Sequence, residues 1–394
     1  MTKRVAFVVQ RCGLEVNGGA ELLCRLIAQQ MALRCPTEVL TTCAVDYVTW
    51  ANHYPPGEER LGELVIRRFP VAKPRDIDAF NRISGAVNPR MGSLSLAEEE
   101  AWMKEQGPWS PELFDYLKAH HGDYDAFFFF TYLYASTYYG LPLVADKAVL
   151  VPTAHDEWPI YFGMFDKMFA LPQAYVFQTP EELEFLGRRF PTARLNGPIL
   201  GVAVDPPERT DPEAFRRIYS IDKPFILYAG RIDGNKGVGQ LVADYQAYQR
   251  VSGDSETELV LVGKRAMEIP DLPGVRVLGF VPEQDKWDAI AASEVVLMPS
   301  AYESLSIACL EAWSLGKPVL VNAKSEVLVG QSRRSQGGLW YQDPDEFCAA
   351  LECILREPEV KRALGAQGRQ FVEANYRWPL IMDAYCELVA DLAR

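Results

Sequence analysis

Short runs of Val, Ile, Leu and Phe return along this chain with helix-like segments between them, and that recurrence constrains the fold more than any other feature. In the first half the runs are RVAFVVQ, TEVLTTCA, DAFFFFTYL, AVLVPTAHD and AYVFQT; in the second they are FILYAGRI, TELVLVGK, GVRVLGFV, EVVLMPS and KPVLVN. A strand covered by helices on both faces is apolar at nearly every position, so these runs predict buried parallel sheets. Ten such strands exceed one comfortable sheet, and 394 residues suffice for two or three domains. The expected fold class is therefore α/β, with two doubly wound Rossmann-like domains. The Gly/Pro-rich stretch LNGPILGVAVDPPERTDPE, residues 195–213, marks their junction. Ligands in open sheets of this kind sit beyond the carboxyl ends of the strands, so two domains facing each other would form a central cleft.

Charge narrows the partners. The formal net charge is −13, and residues 1–200 hold 19 basic against 24 acidic side chains, leaving 21 against 29 for the rest. Neither half is basic, which argues against nucleic-acid binding and limits membrane contact to a peripheral one. The eight cysteines form no CxxC pair and no regular framework, so they read as packing thiols rather than disulfides or metal ligands. No apolar run reaches the length that spans a bilayer, and MTKRVAFVVQRCG fits a strand better than a signal peptide. The expected location is cytoplasmic, at most peripheral at the inner face of the membrane.

The second half carries the chemistry. FILYAGRIDGNKGVGQLVADY reads as strand, loop and helix, with Arg231 and Lys236 among glycines and Gly237 opening the helix. Such a loop offers backbone N–H groups and two cations to one anion, here a phosphate. Further on, EVVLMPS is a buried strand, AYE a turn and SLSIACLEAWSL a helix ended by Gly316. Glu303 then sits at or just before the helix N-terminus and Glu311 two turns into it, roughly 12 Å away along the axis. That separation suits a nucleotide sugar, with a hydroxyl-bearing ring at each end and the diphosphate between them. The N–H groups of Leu305 and Ser306 would face the diphosphate, aided by the helix dipole. Taken singly, Glu303 reads as a cap and Glu311 as a solvated helix face; the company of GRIDGNKG favours the ligand reading.

In order, GR(x)4KG, LVG, VLGFV and PS(x)2E(x)7E before GKPV resemble the retaining GT-B glycosyltransferases, specifically glycosyltransferase family 4. The first half agrees: NGGAE after the first strand resembles the family's glycine loop, and VPTAHDEW its strand-end histidine. The resemblance implies an N-terminal acceptor-side domain over 1–200, a donor-binding domain over 201–375, and a final helix over 376–394 packing back on the first domain. It implies that Arg231 and Lys236 neutralise the diphosphate, that Glu311 holds the ribose hydroxyls, and that Glu303 contacts the transferred sugar with His155 beside it. Gly18 and Gly19 would let backbone approach the donor without a Cβ in the way. Phe280 and Val281 would lie near the base. The family usually has Gly where Ser304 and Ser306 stand, which leaves the helix N–H groups but alters the surroundings of the sugar.

Weaker acceptor-side candidates are Asn17, Asp156 and Glu15. Tyr132, Tyr134 and Tyr138 in FFFFTYLYASTYYG either stack on an acceptor sugar or cover the sheet. Aspartate pairs at DxD spacing occur at Asp76/Asp78, Asp123/Asp125 and Asp343/Asp345 without the setting of a metal site, and no metal or cofactor is expected. The reading is a metal-independent, retaining hexosyltransferase. Its co-substrate would be a UDP- or GDP-type sugar and its acceptor a glycan, lipid-linked or small-molecule hydroxyl, as in polysaccharide biosynthesis. A sugar-nucleotide epimerase, a phosphorylase, or a non-catalytic nucleotide-sugar-binding protein are the alternatives. A dinucleotide oxidoreductase is disfavoured, since no GxGxxG follows the first strand.

Overall fold

A computed structural model of the chain describes residues 3–16 and 18–392. It divides into two compact units, Met1–Val202 with Trp378–Arg394, and Ala203–Arg377. Each is a twisted sheet with helices on its faces.

The first unit holds seven strands: β1 (Val5–Val8), β2 (Thr37–Thr42), β3 (Gly57–Leu61), β4 (Leu64–Phe69), β5 (Ala126–Phe130), β6 (Ala148–Val151) and β7 (Ala174–Tyr175), in the order β3-β4-β2-β1-β5-β6-β7. The pairs are parallel, with Phe7 opposite Val39 on one side and Phe128 on the other, apart from the antiparallel pair β3–β4. The apolar runs miss β3 and β4 for a physical reason. GEERL of β3 is largely exposed and LVIRRF of β4 carries Arg67 and Arg68, because this hairpin forms the sheet edge, where charge discourages further pairing.

The second unit holds six: β8 (Phe225–Ala229), β9 (Glu258–Val262), β10 (Val275–Gly279), β11 (Val296–Met298), β12 (Val319–Asn322) and β13 (Gly338–Tyr341), all parallel, in the order β10-β9-β8-β11-β12-β13. Strand β13, a short half-exposed edge, also escapes the apolar pattern.

Strand order reverses between β1 and β5 in one sheet and between β8 and β11 in the other. A crevice opens where neighbouring strands send their connections in opposite directions, so the loops after these four strands are where a ligand would be held. Apolar cores around Trp102, Phe127 and Phe129 in the first unit, and around Leu241, Tyr245 and Leu259 in the second, fix the strands beneath those loops. The last helix, Trp378–Leu392, belongs to the first unit, where the buried Tyr385 ring lies 5.3 Å from Phe128. All eight cysteines are free thiols, and no described helix is long and apolar enough to cross a membrane.

Candidate functional site

In the second unit the loops after β8 and β11 meet. After β8 the chain runs through Arg231 and Asp233 into a 3-10 turn, Gly234–Lys236, and Gly237 then starts the helix Val238–Ser252. Gly237 has φ +74°, and a Cβ there would stand 2.4 Å from the carbonyl oxygen of Pro299, the first residue of the loop after β11. Only glycine combines that backbone angle with that approach. Asp233 organises the loop. Its buried carboxylate accepts the N–H groups of Asn235 (2.7 Å) and Lys236 (3.2 Å), and pairs with Arg231 Nε at 2.5 Å. The Arg231 carbonyl in turn accepts the Tyr228 hydroxyl at 2.7 Å. Asp233 stands inside the sequence motif, yet only the fold reveals that it pairs with the Arg231 cation and fixes the backbone of Lys236.

Across this junction Lys236 Nζ donates to Glu303 Oε1 at 2.7 Å, with the Glu303 side chain only 11% exposed. The helix starts later than expected, at Ile307 rather than Ser304, so Glu303 lies in the preceding turn, three residues before the N-cap Ser306. Ser306 differs too. Its N–H is not open to a diphosphate but donates to Gln331 Oε1 at 3.1 Å, while its Oγ accepts Cys309 N–H. Leu305 is buried just ahead of it, and Ser304 lies half-exposed between Leu305 and Glu303. Gln331, fully buried on Glu326–Ser335, is a site neighbour that sequence reasoning missed.

Glu311 is buried rather than a solvated face, and its Oε1 accepts Lys286 Nζ at 2.7 Å. Burial pushes the Glu311 carboxyl above the usual range, with Lys286 opposing that rise. Burial alone would lower Lys286; the carboxylates of Glu311 and Glu283 outweigh it and raise the lysine. No periodicity connects Lys286, on the helix Glu283–Ala292, with Glu311, so this partner was not legible. After β10, Phe280 is 71% exposed whereas Val281 is buried, so only the first offers a face to a base.

In the first unit, Gly18 is the N-cap of the helix Gly19–Ala32 that follows β1. A Cβ on Gly18 would strike the Glu21 carboxylate at 2.1 Å, while one on Gly19 would meet nothing. The glycine at 18 therefore makes room for Glu21, which is buried and receives Arg11 Nε at 2.9 Å; this ion pair at the β1/β5 switch point was not anticipated. Glu15 accepts the Tyr54 hydroxyl at 2.6 Å. Asn17 lies outside the described residues.

His155, half-buried after β6, has Nε2 3.7 Å from Glu157, whose other oxygen accepts the Tyr132 hydroxyl at 2.7 Å. Beneath it the buried Glu182 accepts the N–H groups of Ala154 and Gln178, both at 2.6 Å, tying the loop after β6 to the loop after β7. Asp156 is exposed and accepts the Tyr161 hydroxyl at 2.8 Å. The tyrosines divide. Tyr132 is fully buried against Phe165 and Phe169, so it cannot stack on an acceptor. Tyr138 packs on Tyr139 and bonds Glu100, covering the sheet. Tyr134 stands edge-on to Trp50 at 5.4 Å, beside the switch point.

The DxD spacings have local work. Asp76 and Asp343 cap helices, Asp123 pairs with His120, and Asp125 accepts Arg4 N–H. No group of three or more His, Cys, Asp or Glu that could hold a metal ion occurs among the described residues.

Residues 223–357 match the sequence model of the family Glycosyl transferases group 1. The lipopolysaccharide core biosynthesis glycosyltransferase LpsE of Rhizobium meliloti is 29% identical over 43% of this chain and 51% of its own length. Alpha-D-kanosaminyltransferase of Streptomyces kanamyceticus is 23% identical over 90% of this chain and 95% of its own. The matched stretches span from about a third to a half of the first curated relatives, at 36%, 51% and 44% of their lengths. Among solved structures, sucrose-phosphate synthase from Thermosynechococcus elongatus superposes with a TM-score of 0.72 at 17% identity over 99% of both chains. Anabaena HepE in complex with UDP-glucose gives 0.68 at 13%, over 98% of this chain and 99% of that one. The chain thus has the GT-B fold, two parallel-sheet Rossmann-like α/β domains, and its second domain carries the likeness to the group 1 glycosyl transferases.

Proposed function

We propose that this protein is a retaining glycosyltransferase. It would move a hexose-type sugar from a UDP- or GDP-type donor to a hydroxyl of a glycan, lipid-linked or small-molecule acceptor, without a metal. One observation carries the reading: Lys236 and Glu303, from the two loops flanking the β8/β11 switch point, lie 2.7 Å apart, with Arg231 anchored in the same loop as the lysine. A diphosphate delivered there meets two cations whose backbone is already fixed, so little reorganisation is needed as charge develops. The HepE complex with UDP-glucose supports a sugar-nucleotide donor, and the likeness to LpsE, a lipopolysaccharide core biosynthesis glycosyltransferase, supports glycosyl transfer.

In the proposed reaction the bond from the anomeric carbon to the diphosphate breaks and its electron pair stays on the diphosphate. The acceptor oxygen forms its bond on the same face, and its proton passes to the departing phosphate oxygen. Arg231 and Lys236 stabilise the leaving charge. Glu303, released from Lys236, accepts hydrogen bonds from the transferred sugar, and Glu311 serves the ribose hydroxyls. His155, on the first unit, is the candidate there for a contact with the sugar.

The test is a thermal-shift screen of UDP- and GDP-sugars, followed by NMR of the product's anomeric configuration with the best donor. No stabilising nucleotide sugar would overturn the donor class, and an inverted product would overturn retention. Donor turnover without acceptor would favour an epimerase, release of sugar phosphate a phosphorylase, and binding without turnover a non-catalytic binder.

A further inference from the structure

A second feature lies apart from the loops of β8 and β11. Within the first unit, Trp50, Lys73, Arg75, Lys104, Glu105 and Trp109 line a pocket of about 210 Å³. Its walls are built rather than accidental. Trp50 is buried at φ +55°, a costly backbone for a bulky residue, and its Nε1 donates to the Gln106 carbonyl at 2.7 Å. Backbone bonds join the segments around it: Ala72 N–H to the Trp109 carbonyl at 2.9 Å, and Ala135 N–H to the Gly107 carbonyl at 3.0 Å.

Charge in the pocket is unbalanced. The Arg75 guanidinium is spent on the carbonyls of Tyr47, Val48 and Gln106 and on Gln106 Oε1, all neutral acceptors, and it lies over the Trp50 ring at 5.1 Å. Lys104 Nζ lies 5.6 Å from the Trp109 ring centre, and Lys73 is exposed at the rim. Three cations thus face one carboxylate, Glu105. The half-buried Arg75 guanidinium is hydrogen-bonded only to neutral acceptors, with Asp46, outside the pocket lining, as the carboxylate that acts on it, so an anion is favoured nearby and two exposed lysines can complete the contact.

The pocket also has an address. Trp50 stands edge-on to Tyr134, which follows β5, and its ring lies 5.9 Å from the Arg11 guanidinium, which follows β1. The Trp50 ring that lines the pocket therefore also touches residues that follow β1 and β5.

We propose that this pocket seats the anionic group, phosphate or carboxylate, of a sugar acceptor, with the half-buried Trp109 indole against the ring. The proposal rests on the glycosyltransferase reading for the word acceptor, but the anion site stands on the first unit alone. The test is calorimetric titration, without nucleotide, of glucose 6-phosphate and of glucuronate, with glucose as the neutral control. Wild type should bind one or both anions at least about ten-fold more tightly than glucose, and which one distinguishes phosphate from carboxylate. Lys73→Ala/Lys104→Ala should abolish that margin, and Lys73→Arg/Lys104→Arg should keep it; both lysines are exposed, so unaltered melting temperatures are expected. Equal binding of all three sugars, or anion binding unchanged in the alanine double variant, would overturn the proposal. Nucleoside diphosphate, titrated alongside, reports the second unit: its failure to bind wild type would sink the glycosyltransferase reading while leaving the anion result intact.

Discussion

Lys236 and Glu303 are 67 residues apart in sequence and 2.7 Å apart in space. Each is the other's partner, so on the proposed reading an arriving diphosphate would replace a carboxylate at Lys236. Lys236→Ala should weaken nucleoside-diphosphate binding by roughly 1–3 kcal/mol, the scale of a charge-assisted hydrogen bond. Glu303→Gln should leave that affinity undiminished while lowering transfer. Calorimetry beside initial rates checks both, and equal affinity losses would sink this division of roles.

Gly237→Ala should destabilise the protein by at least about 1–3 kcal/mol, because alanine disfavours φ +74° and its Cβ would crowd the Pro299 carbonyl. Gly239→Ala, two residues on, is the control. A Cβ there meets only Met267 Cε at an ordinary 3.5 Å, so a gain of about 0.5–1 kcal/mol is expected from helix propensity. Urea unfolding of the pair gives the comparison.

Lys286→Met should cost about 2–3 kcal/mol at neutral pH. That is below the ~3–5 kcal/mol of a fully buried pair because 21% of the lysine side chain reaches solvent. The loss should shrink as pH falls and Glu311 takes up a proton. Lys286→Met/Glu311→Gln should recover much of the stability, yet bind nucleoside diphosphate less well, since the proposed ribose contact is gone. Thermal melts at two pH values and one titration settle the point.

Burial pushes the Glu182 carboxyl up to about 8, against the pull of two backbone N–H groups. The same group ionises near 4.5 in an unfolded chain. Between those values the folded protein holds a proton that the unfolded chain lacks, so this residue's contribution to stability falls as pH rises from about 4.5 to 8. Glu182→Gln carries no such proton. The stability difference, wild type minus variant, should therefore decline between pH 5 and pH 8 in urea titrations. A flat difference would mean that the carboxyl is ionised throughout.

Activity is expected to persist in excess EDTA after extensive dialysis, since in the proposed mechanism Arg231 and Lys236 supply the cationic charge at the leaving diphosphate. Loss of turnover restored by manganese or magnesium would contradict the proposed mechanism.

What the sequence makes legible follows from how a pattern arises. Strands β1, β5, β8 and β11 are covered on both faces, so every position is apolar and the run announces itself. Strands β3 and β4 form an edge, where Glu58, Glu59, Arg67 and Arg68 are tolerated, and the same criterion passes over them. Lys236 and Glu303 could be picked out because their loops follow apolar strands and carry glycine or proline beside charge. The partners of buried groups were hidden: Lys286 for Glu311, Gln331 for Ser306, and Arg11 for Glu21 come from other elements at separations with no period. Tyr132 stays ambiguous in the sequence because an aromatic residue at a strand end has one composition and two destinies, and only packing shows that it points into the core.

The contact of Gly237 with the Pro299 carbonyl has a consequence for how such a site can diversify. The frame that sets the spacing of the loops is made of main chain, and the groups proposed to meet the donor are side chains carried on it. On the proposed reading, exchanging Glu303, Ser304 or Phe280 would alter what is recognised without moving the scaffold that presents it. Substitution-tolerant recognition on an intolerant frame predicts a lopsided mutational landscape. In a saturation library selected for folding alone, position 237 would admit essentially one residue, while Ser304 and Phe280, half-exposed and exposed, would admit many.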